Sequence, residues 1–340
     1  MPGTAPKFTV EIYHDLAPYL GGMTSKVFFQ DVDQLINAWK IATEWTLDTF
    51  HGRLAPRIPT AAPNSYAHLV CLGAPLHYSE DAEPNISPAA DSLEDAIALL
   101  EEKRGMDFTV HPLFQWYADA SRRVKEVFPE APQLAGMGFE GPITSAALFR
   151  GQDFYCDVMD EPDLVKRYLS LMTESVLAFK EQLNTFVGLP AVSDGGGSMP
   201  DDLAAMLSPS LWDEMVIPFW KQYYDGFSTG KSRFLHCEAL VPAHLPYLKK
   251  AGITHYQPSV SPQLTLKNMR THANDWTFDW LLYAYQVTDM DDEQMEKWVT
   301  DAVAAGANNI RTQFGAYAVS IGKVDRIQKF LDIAESYQEK

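Results

Sequence analysis

The chain has 340 residues, of which 46% are apolar, and its formal net charge is -18. This length and apolar content are enough for a large buried core, and a single α/β barrel of this size is ordinary. The negative charge argues against nucleic acid and against an anionic membrane surface as partners, because both are bound through clustered Lys and Arg.

The first third of the chain is predicted to be mainly helical. Residues 24–50 carry apolar side chains at three- and four-residue spacing, which predicts an amphipathic helix. Residues 53–95 are rich in Pro, Ala and Asn and should be irregular, apart from a candidate strand in AHLVCLGAPLHYS. Helical patterns follow near 91–103 and 112–128. We therefore expect an N-terminal helical extension over about residues 1–60.

From about residue 131, strand patterns alternate with helical patterns. Strands are predicted in APQLAGMGFEGPI, LPAVSDGGGS, KSRFLHCE, ITHYQPSV, DWTFDWLL and NNIRTQFGAY. This alternation is typical of parallel βα units and predicts a (β/α)8 TIM barrel with extra N-terminal helices. A doubly wound open sheet is the alternative. No internal repeat or linker divides the chain, so we expect one domain over 1–340.

The cysteine pattern and the N-terminus bear on where the protein works. The three cysteines, Cys71, Cys156 and Cys237, are far apart and odd in number, which favours a reducing compartment over a disulfide framework. The N-terminus lacks the basic start and apolar core of a signal peptide, and no apolar run is long enough to span a bilayer. We therefore expect a cytoplasmic protein that does not contact membranes.

Groups able to bind metals or transfer protons recur at the predicted strand ends, where the active site of such a barrel lies. They are Glu140, Asp194, His236, Cys237, Glu238, His255, Asp279 and Gln313.

His236 and Glu238 form a candidate metal-binding pair. Alternate residues of an extended segment share a face, so these two side chains should point the same way and Cys237 should pack on the other side. The alternative is a hydrogen-bonded core histidine beside a helix-capping glutamate, and the local pattern by itself favours it, because two ligands do not make a site. His244, in the following helix, is expected to be structural.

Two further carboxylates are candidate catalytic groups. Asp194 precedes three glycines, which let backbone approach a ligand closely, although an Asx turn is the common alternative. Asp279 lies between two aromatic residues and is either a functional group with a perturbed pKa or a strand end that reaches solvent. Glu140 and Gln313 are candidate substrate contacts, although the sequence after Glu140 is also typical of a turn.

Four stretches resemble the uroporphyrinogen decarboxylase superfamily, and the resemblance runs from about residue 25 to the C-terminus. They are GPITSAALFRG, MDEPDLVKRYLSLMTESV, SDGGGSMPDDLAAMLSPSLWDEMVIPFW and RFLHCEALVPAHLPYLKKAGI. The resemblance implies a (β/α)8 barrel that acts either as a porphyrinogen decarboxylase or as a zinc-dependent methyltransferase working with corrinoid proteins or coenzyme M. Family decarboxylases hold substrate carboxylates with an arginine-rich N-terminal segment. The first arginine here is Arg53, so decarboxylation of a porphyrinogen is disfavoured.

The methyltransferases of the superfamily carry a His-x-Cys pair at one strand end and a further Cys near the last strand. His236 falls on the family histidine, Glu238 falls where the first Cys would be, and residues 311–318 contain no Cys. Glutamate oxygen is an acceptable zinc ligand, and a site with fewer thiolates leaves zinc harder and more electrophilic. The resemblance thus implies zinc held by His236, Glu238 and a third group, which could be Asp279, Gln313 or another side chain at a strand end.

The function implied is methyl transfer from a small substrate, such as a methoxylated aromatic, to the corrinoid of a partner protein. Asp194 or Asp279 would position the substrate or protonate the departing oxygen. Two alternatives stay open: a metal-free lyase or decarboxylase that uses Asp194 and His236 as acid and base, and a barrel that only binds.

Overall fold

The structure is a computed structural model that describes residues 6–338. Its strands are β1 (Lys7–Ile12), β2 (Leu76–His77), β3 (Asn85–Ile86), β4 (Gly197–Pro200), β5 (Arg233–His236), β6 (His255–Gln257), β7 (Thr277–Leu282) and β8 (Asn309–Phe314). Six of them form a sheet of order β1-β8-β7-β6-β5-β4, in which every neighbouring pair is parallel. The short strands β2 and β3 pair antiparallel outside it.

The two remaining positions of the barrel are occupied by irregular backbone. Asn64 and Met137 form an isolated parallel bridge, and the Gly141 N–H donates to the Pro200 carbonyl oxygen at the end of β4, 2.6 Å away. A Cβ atom at residue 141 would lie 2.6 Å from the Asp201 side chain, so only glycine permits this approach. The prediction of a TIM-barrel-like fold is confirmed, with these two strands reduced to single contacts.

The helices surround the sheet and follow its strands. They are α1 (Leu16–Leu20), α2 (Ser25–Gln30), α3 (Val32–Phe50), α4 (Ala67–Leu72), α5 (Leu93–Glu102), α6 (Pro112–Val127), α7 (Pro142–Arg150), α8 (Phe154–Asp160), α9 (Pro162–Phe186), α10 (Trp212–Met215), α11 (Ile217–Phe227), α12 (Leu245–Lys250), α13 (Leu266–Thr271), α14 (Ala284–Asp289), α15 (Asp292–Ala305), α16 (Ala316–Ser320) and α17 (Val324–Gln338). Short 3-10 turns occupy Phe108–Val110, Asp202–Met206, Pro209–Leu211 and Pro242–His244. No helix within residues 6–338 has the length and hydropathy needed to cross a membrane.

The N-terminal segment differs from its prediction. Residues 7–12, expected to belong to a helical extension, form β1, which pairs with β8 along its whole length. Helices α1 to α3 therefore follow a barrel strand and do not precede the barrel. The predicted helix over 24–50 is divided at Asp31, whose carboxylate accepts from the Asp33 and Gln34 N–H groups and caps α3. The candidate strand in AHLVCLGAPLHYS is wrong at its start, where α4 forms.

Apolar packing between sheet and helices forms one continuous core. Helix α9 begins at Pro162, a residue suited to a first helical position, and buries an apolar stripe that includes Val165, Leu169, Met172 and Val176. The carboxyl ends of β4, β5 and β6 are fixed by this packing, because Met199, Leu235 and Tyr256 are fully buried. The side chains that follow these strand ends are therefore held by a rigid frame.

Candidate functional site

The carboxyl ends of three neighbouring strands bring polar side chains together. The register pairs Pro200 of β4 with His236 of β5, and His236 with Gln257 of β6. Asp202 follows β4 by two residues, and Glu238 follows β5 by two residues. His236 and Glu238 thus lie at the barrel mouth together, as the sequence predicted.

The His236 ring is oriented by Gln257. Its Nδ1 lies 2.5 Å from the Gln257 Oε1. An amide oxygen can only accept, so Nδ1 donates, and in the neutral ring the lone pair is then on Nε2. This Nε2 lies 3.6 Å from the Asp202 Oδ1 and 4.0 Å from the Glu238 Oε1. A lone pair facing two carboxylates is unfavourable unless a proton or a metal cation lies between them.

Glu238 and Asp202 are themselves held in place. The Glu238 Oε1 accepts from the Ser259 hydroxyl at 2.7 Å and from the Tyr283 hydroxyl at 3.0 Å. The Glu238 backbone N–H donates to the Asp202 Oδ1 at 2.7 Å. The side chains of His236, Asp202 and Glu238 are 28%, 37% and 36% exposed, so a ligand can reach all three from the mouth.

Asp201, beside Asp202, serves the framework. Its carboxylate accepts from the Thr144 N–H at 2.6 Å, the Ile143 N–H at 3.3 Å and the Trp220 Nε1–H at 2.6 Å. Burial raises its pKa to about 6, although these donors favour the charged form. The fully buried Asp201 therefore ties the N-terminus of α7 to the end of β4.

Glu140 lies at the mouth beside these two aspartates. Burial raises the pKa of Glu140 well above its usual range, and the charges of Asp202 and Asp201 raise it further. Burial also raises the pKa of Asp202, while His236 lowers it. The site thus places a carboxyl group with a raised pKa next to the carboxylates of Asp202 and Glu238.

Gln313 also lies at the mouth, one residue before the end of β8. It is 9% exposed, and its Nε2 donates to the Tyr13 hydroxyl oxygen at 3.2 Å. Glu140 and Gln313 therefore have the placement expected of substrate contacts, and that role stays a prediction.

The predicted placement of Asp194 is wrong. The residue precedes β4, next to the Ser193–Ser228 bridge, and is exposed at the amino end of the sheet, opposite His236. The three glycines after Asp194 were predicted to follow a strand, but they lead into the start of β4. Gly197 is its first residue, and a Cβ atom there would lie 2.8 Å from the Tyr224 ring.

The predicted placement of Asp279 at a strand end is also wrong. Asp279 is the third residue of β7 and pairs with Asn309, the first residue of β8. It is 4% exposed, and its carboxylate contacts the His255 Nε2 at 2.9 Å and the Arg311 guanidinium at 3.3 Å. Arg311 also pairs with Glu11 at 2.7 Å. Asp279 and His255 thus belong to an ion-pair network in the barrel interior, away from the mouth.

Cys237 and His244 lie where they were expected. Cys237 is fully buried, and its Sγ lies 3.2 Å from the Asp201 carbonyl oxygen. His244 is 2% exposed and stacks on Trp212, with ring centroids 4.7 Å apart. Its Nδ1 accepts from the Val241 N–H. Both side chains pack the framework below the site.

Sequence reasoning did not single out three of the residues that build the site: Asp202, Gln257 and Tyr283. Two adjacent acids after GSMP could have indicated Asp202, had the strand end been placed six residues later, at Pro200 and not at Asp194. Gln257 and Tyr283 had no local signal, because their importance comes from contacts with His236 and Glu238 across 21 and 45 residues of sequence.

The distances between His236, Asp202 and Glu238 can be compared with the spacing that a bound metal ion requires. Among residues 6–338, no group of three or more His, Cys, Asp or Glu side chains already converges as in a formed metal site. Two atoms that each lie within about 2.1 Å of one zinc ion can be at most about 4.2 Å apart. The distances of 3.6 and 4.0 Å from the His236 Nε2 to Asp202 and Glu238 fall within that reach. The two His236 contacts therefore meet this one geometric requirement of a shared zinc ion.

Comparisons with known proteins give a family and a fold. The family model described as uroporphyrinogen decarboxylase (URO-D) matches residues 66–273, more than half of the chain. No curated protein matches the chain. Among solved structures, a methyltransferase from Methanosarcina mazei is similar, with a TM-score of 0.69 and 13% sequence identity. The match covers 99% of this chain and 95% of that one, and at this identity it shows a shared fold.

Proposed function

Since the chain belongs to the uroporphyrinogen decarboxylase family, we propose that it is a methyltransferase of the zinc-dependent kind. It moves a methyl group from a small substrate, such as a methoxylated aromatic, to the corrinoid of a partner protein. The metal ligands are His236 and Glu238, with Asp202 as the third. Asp202 takes the position for which Asp279 and Gln313 were the sequence-based candidates.

One observation carries the proposal: the His236 ring, fixed by Gln257, directs its Nε2 toward two partly exposed carboxylates. Metal-binding histidines typically donate their other ring N–H to an acceptor in this way, which fixes the tautomer and raises the basicity of the ligating nitrogen. The hydrogen bonds from Ser259 and Tyr283 hold Glu238 in the same manner.

Zinc bound there supplies a Lewis acid for the substrate's ether oxygen. The chain's own groups do the rest. Glu140, whose pKa is raised by burial, is the group we assign to donate a proton to the oxygen that leaves with the aromatic ring. Asp202 and Glu238 hold their positions through the hydrogen bonds described above. The methyl group faces the open mouth, where the partner's reduced corrinoid is the acceptor.

The charge at the mouth disfavours decarboxylation of a polycarboxylated substrate. Glu83, Glu140, Asp202 and Glu238 lie close enough to one another and to the neighbouring tyrosines to perturb their pKa values. Carboxylates of a substrate would be repelled by Glu83, whose hydrogen bond with His14 lowers its pKa and which is not a proposed zinc ligand. Methyl transfer from a substrate without such groups meets no similar repulsion.

The test is zinc binding by purified variants. His236→Ala, Glu238→Ala and Asp202→Ala should each lose most of the zinc that the unaltered protein binds at one equivalent per chain, measured by metal analysis after dialysis. Cys237→Ser is the matched control and should retain zinc, because Cys237 is buried outside the donor set. Full zinc retention by both His236→Ala and Glu238→Ala would overturn the assignment.

A further inference from the structure

A cavity of about 280 Å³ lies at the mouth between the ends of β1, β7 and β8. Four tyrosines line it together with an aspartate and a glutamine: Tyr13, Tyr283, Tyr285, Tyr317, Asp15 and Gln313. We call it the tyrosine cavity. Its volume is at the lower limit for ligand pockets, so it suits one small group of a substrate.

The aromatic surfaces of this cavity are open to a ligand. Tyr13, Tyr285 and Tyr317 are 37%, 49% and 46% exposed. Tyr283 and Tyr285 stack with ring centroids 5.8 Å apart. Three exposed tyrosines around one cavity are unusual for a surface that only contacts water, because each leaves apolar ring area unburied.

The tyrosine cavity adjoins the zinc-binding residues. Tyr283 lines it and also donates its hydroxyl hydrogen to the Glu238 carboxylate at 3.0 Å. Gln313 lines it and donates to the Tyr13 hydroxyl oxygen. A substrate that reaches Glu238 can therefore extend into this cavity.

The surroundings of the cavity are negatively charged. Asp15 forms part of its wall and accepts from the Ala316 N–H at 3.3 Å. Burial raises the pKa of Tyr13, and the charges of Glu11, Glu83 and Glu238 raise it further. None of the described residues that line the cavity is Lys or Arg. Two arginines lie nearby. Arg57 donates to the Ile12 carbonyl oxygen, and the negative charges of Asp15 and Glu83 lie close to it. Arg311 forms an ion pair with Glu11.

We propose that the substrate carries an organic cation, such as a quaternary ammonium group, which the tyrosine cavity binds. The proposal rests on the proposed function, since it defines the substrate of the same site. Tyrosine faces attract an ammonium cation electrostatically, and the surrounding carboxylates add to this attraction. The cation occupies the tyrosine cavity while the methyl-bearing oxygen lies beside Glu238. A methyl ether that carries a carboxylate is then a poor substrate.

The first test is direct binding of choline and of 3,3-dimethylbutan-1-ol, which replaces the charged nitrogen with carbon in the same shape. Calorimetric titration of the full chain, without zinc or corrinoid protein, should show that choline binds about 10-fold more tightly. Equal affinity of the two would overturn the proposal and indicate an apolar pocket. Absence of choline binding at millimolar concentration would overturn it as well.

Variants separate cation–π binding from simple contact. Tyr285→Phe keeps the aromatic face and should keep choline affinity, whereas Tyr285→Leu should weaken it about 3- to 10-fold. Tyr19→Leu is the matched control, because Tyr19 is a comparably exposed tyrosine outside the cavity, at 45%, and should leave affinity unchanged. Equal affinities of the Phe and Leu variants would contradict the proposal.

One further variant separates failure of this proposal from failure of the proposed function. His236→Ala should abolish zinc binding and leave choline affinity within about two-fold, because His236 does not line the tyrosine cavity. If the unaltered protein binds choline selectively but binds no zinc, the cation-binding role of the tyrosine cavity is supported and the proposed metal site is refuted. If the protein binds zinc but does not prefer choline to the neutral alcohol, the metal site is supported and the cation-binding role of the cavity is refuted.

Discussion

Replacing Gln257 with Leu tests the geometry of the site without removing a proposed zinc ligand. Gln257 is 6% exposed, and its Oε1 is the partner of the His236 Nδ1. Leucine is similar in size, so the cavity left is small. The change leaves the Nδ1–H without its acceptor, and the ring can then rotate or place its proton on Nε2, the nitrogen required for zinc.

The expected loss of zinc affinity follows from the contribution that hydrogen-bond partners of metal-binding histidines make in other proteins. Loss of an outer hydrogen-bond partner typically reduces metal affinity by about 10- to 100-fold, or about 1.4 to 2.7 kcal/mol. Zinc dissociation constants of the two proteins can be compared by competition against a chromophoric chelator. Denaturant unfolding of the metal-free proteins controls for a general loss of stability. An unchanged zinc affinity in a folded Gln257→Leu variant would refute the role given to the oriented ring.

Two further predictions concern the acids around the site. Asp201→Ala should lower the free energy of unfolding by about 2–4 kcal/mol, because it leaves three buried donors without an acceptor. As a control, replacing the exposed Asp194 by Ala should change the free energy of unfolding by less than about 0.5 kcal/mol. Equal effects of the two substitutions in urea unfolding would contradict the framework role of Asp201. Glu140→Gln should stabilise the protein increasingly as pH rises above 4.5, because a raised folded-state pKa means that stability is lost on ionisation. Replacement of the exposed Glu130 by Gln is the control. If Glu140→Gln leaves the pH dependence of the unfolding free energy unchanged, the raised pKa of Glu140 is refuted.

The sequence predicted the barrel because alternation of strand and helix patterns is a local property. It misplaced β4 because this strand, Gly197–Pro200, is short and begins with glycine, so its apolar pattern is weak. Its position is set by the Tyr224 ring and by pairing with β5. Because the strand was placed a few residues too early, Asp194 was predicted at the barrel mouth. The structure places Asp194 at the opposite end of β4 and Asp202 at the mouth.

Asp279 illustrates a different limit. A charged residue within an apolar run was read as the end of a strand, since buried charges are rare. The interior of this barrel contains His255, Arg311 and Glu11, which pair with Asp279 or with one another. These partners lie on other strands and become neighbours only when the sheet forms. His236 and Glu238 were recognised because both lie within three residues of one strand end.

The central claim is that methyl transfer depends on zinc held by His236, Asp202 and Glu238. In the most direct measurement, the enzyme is mixed with a reduced corrinoid protein and a methyl ether, and the formation of methyl-cobalt is followed by the visible spectrum. We expect methyl-cobalt to form with the zinc-loaded protein, to fail after chelation and with Glu238→Ala, and to return when zinc is restored to the unaltered protein. Methyl-cobalt formation that survives the loss of zinc, or carbon dioxide release from a carboxylated substrate without corrinoid, would contradict the account.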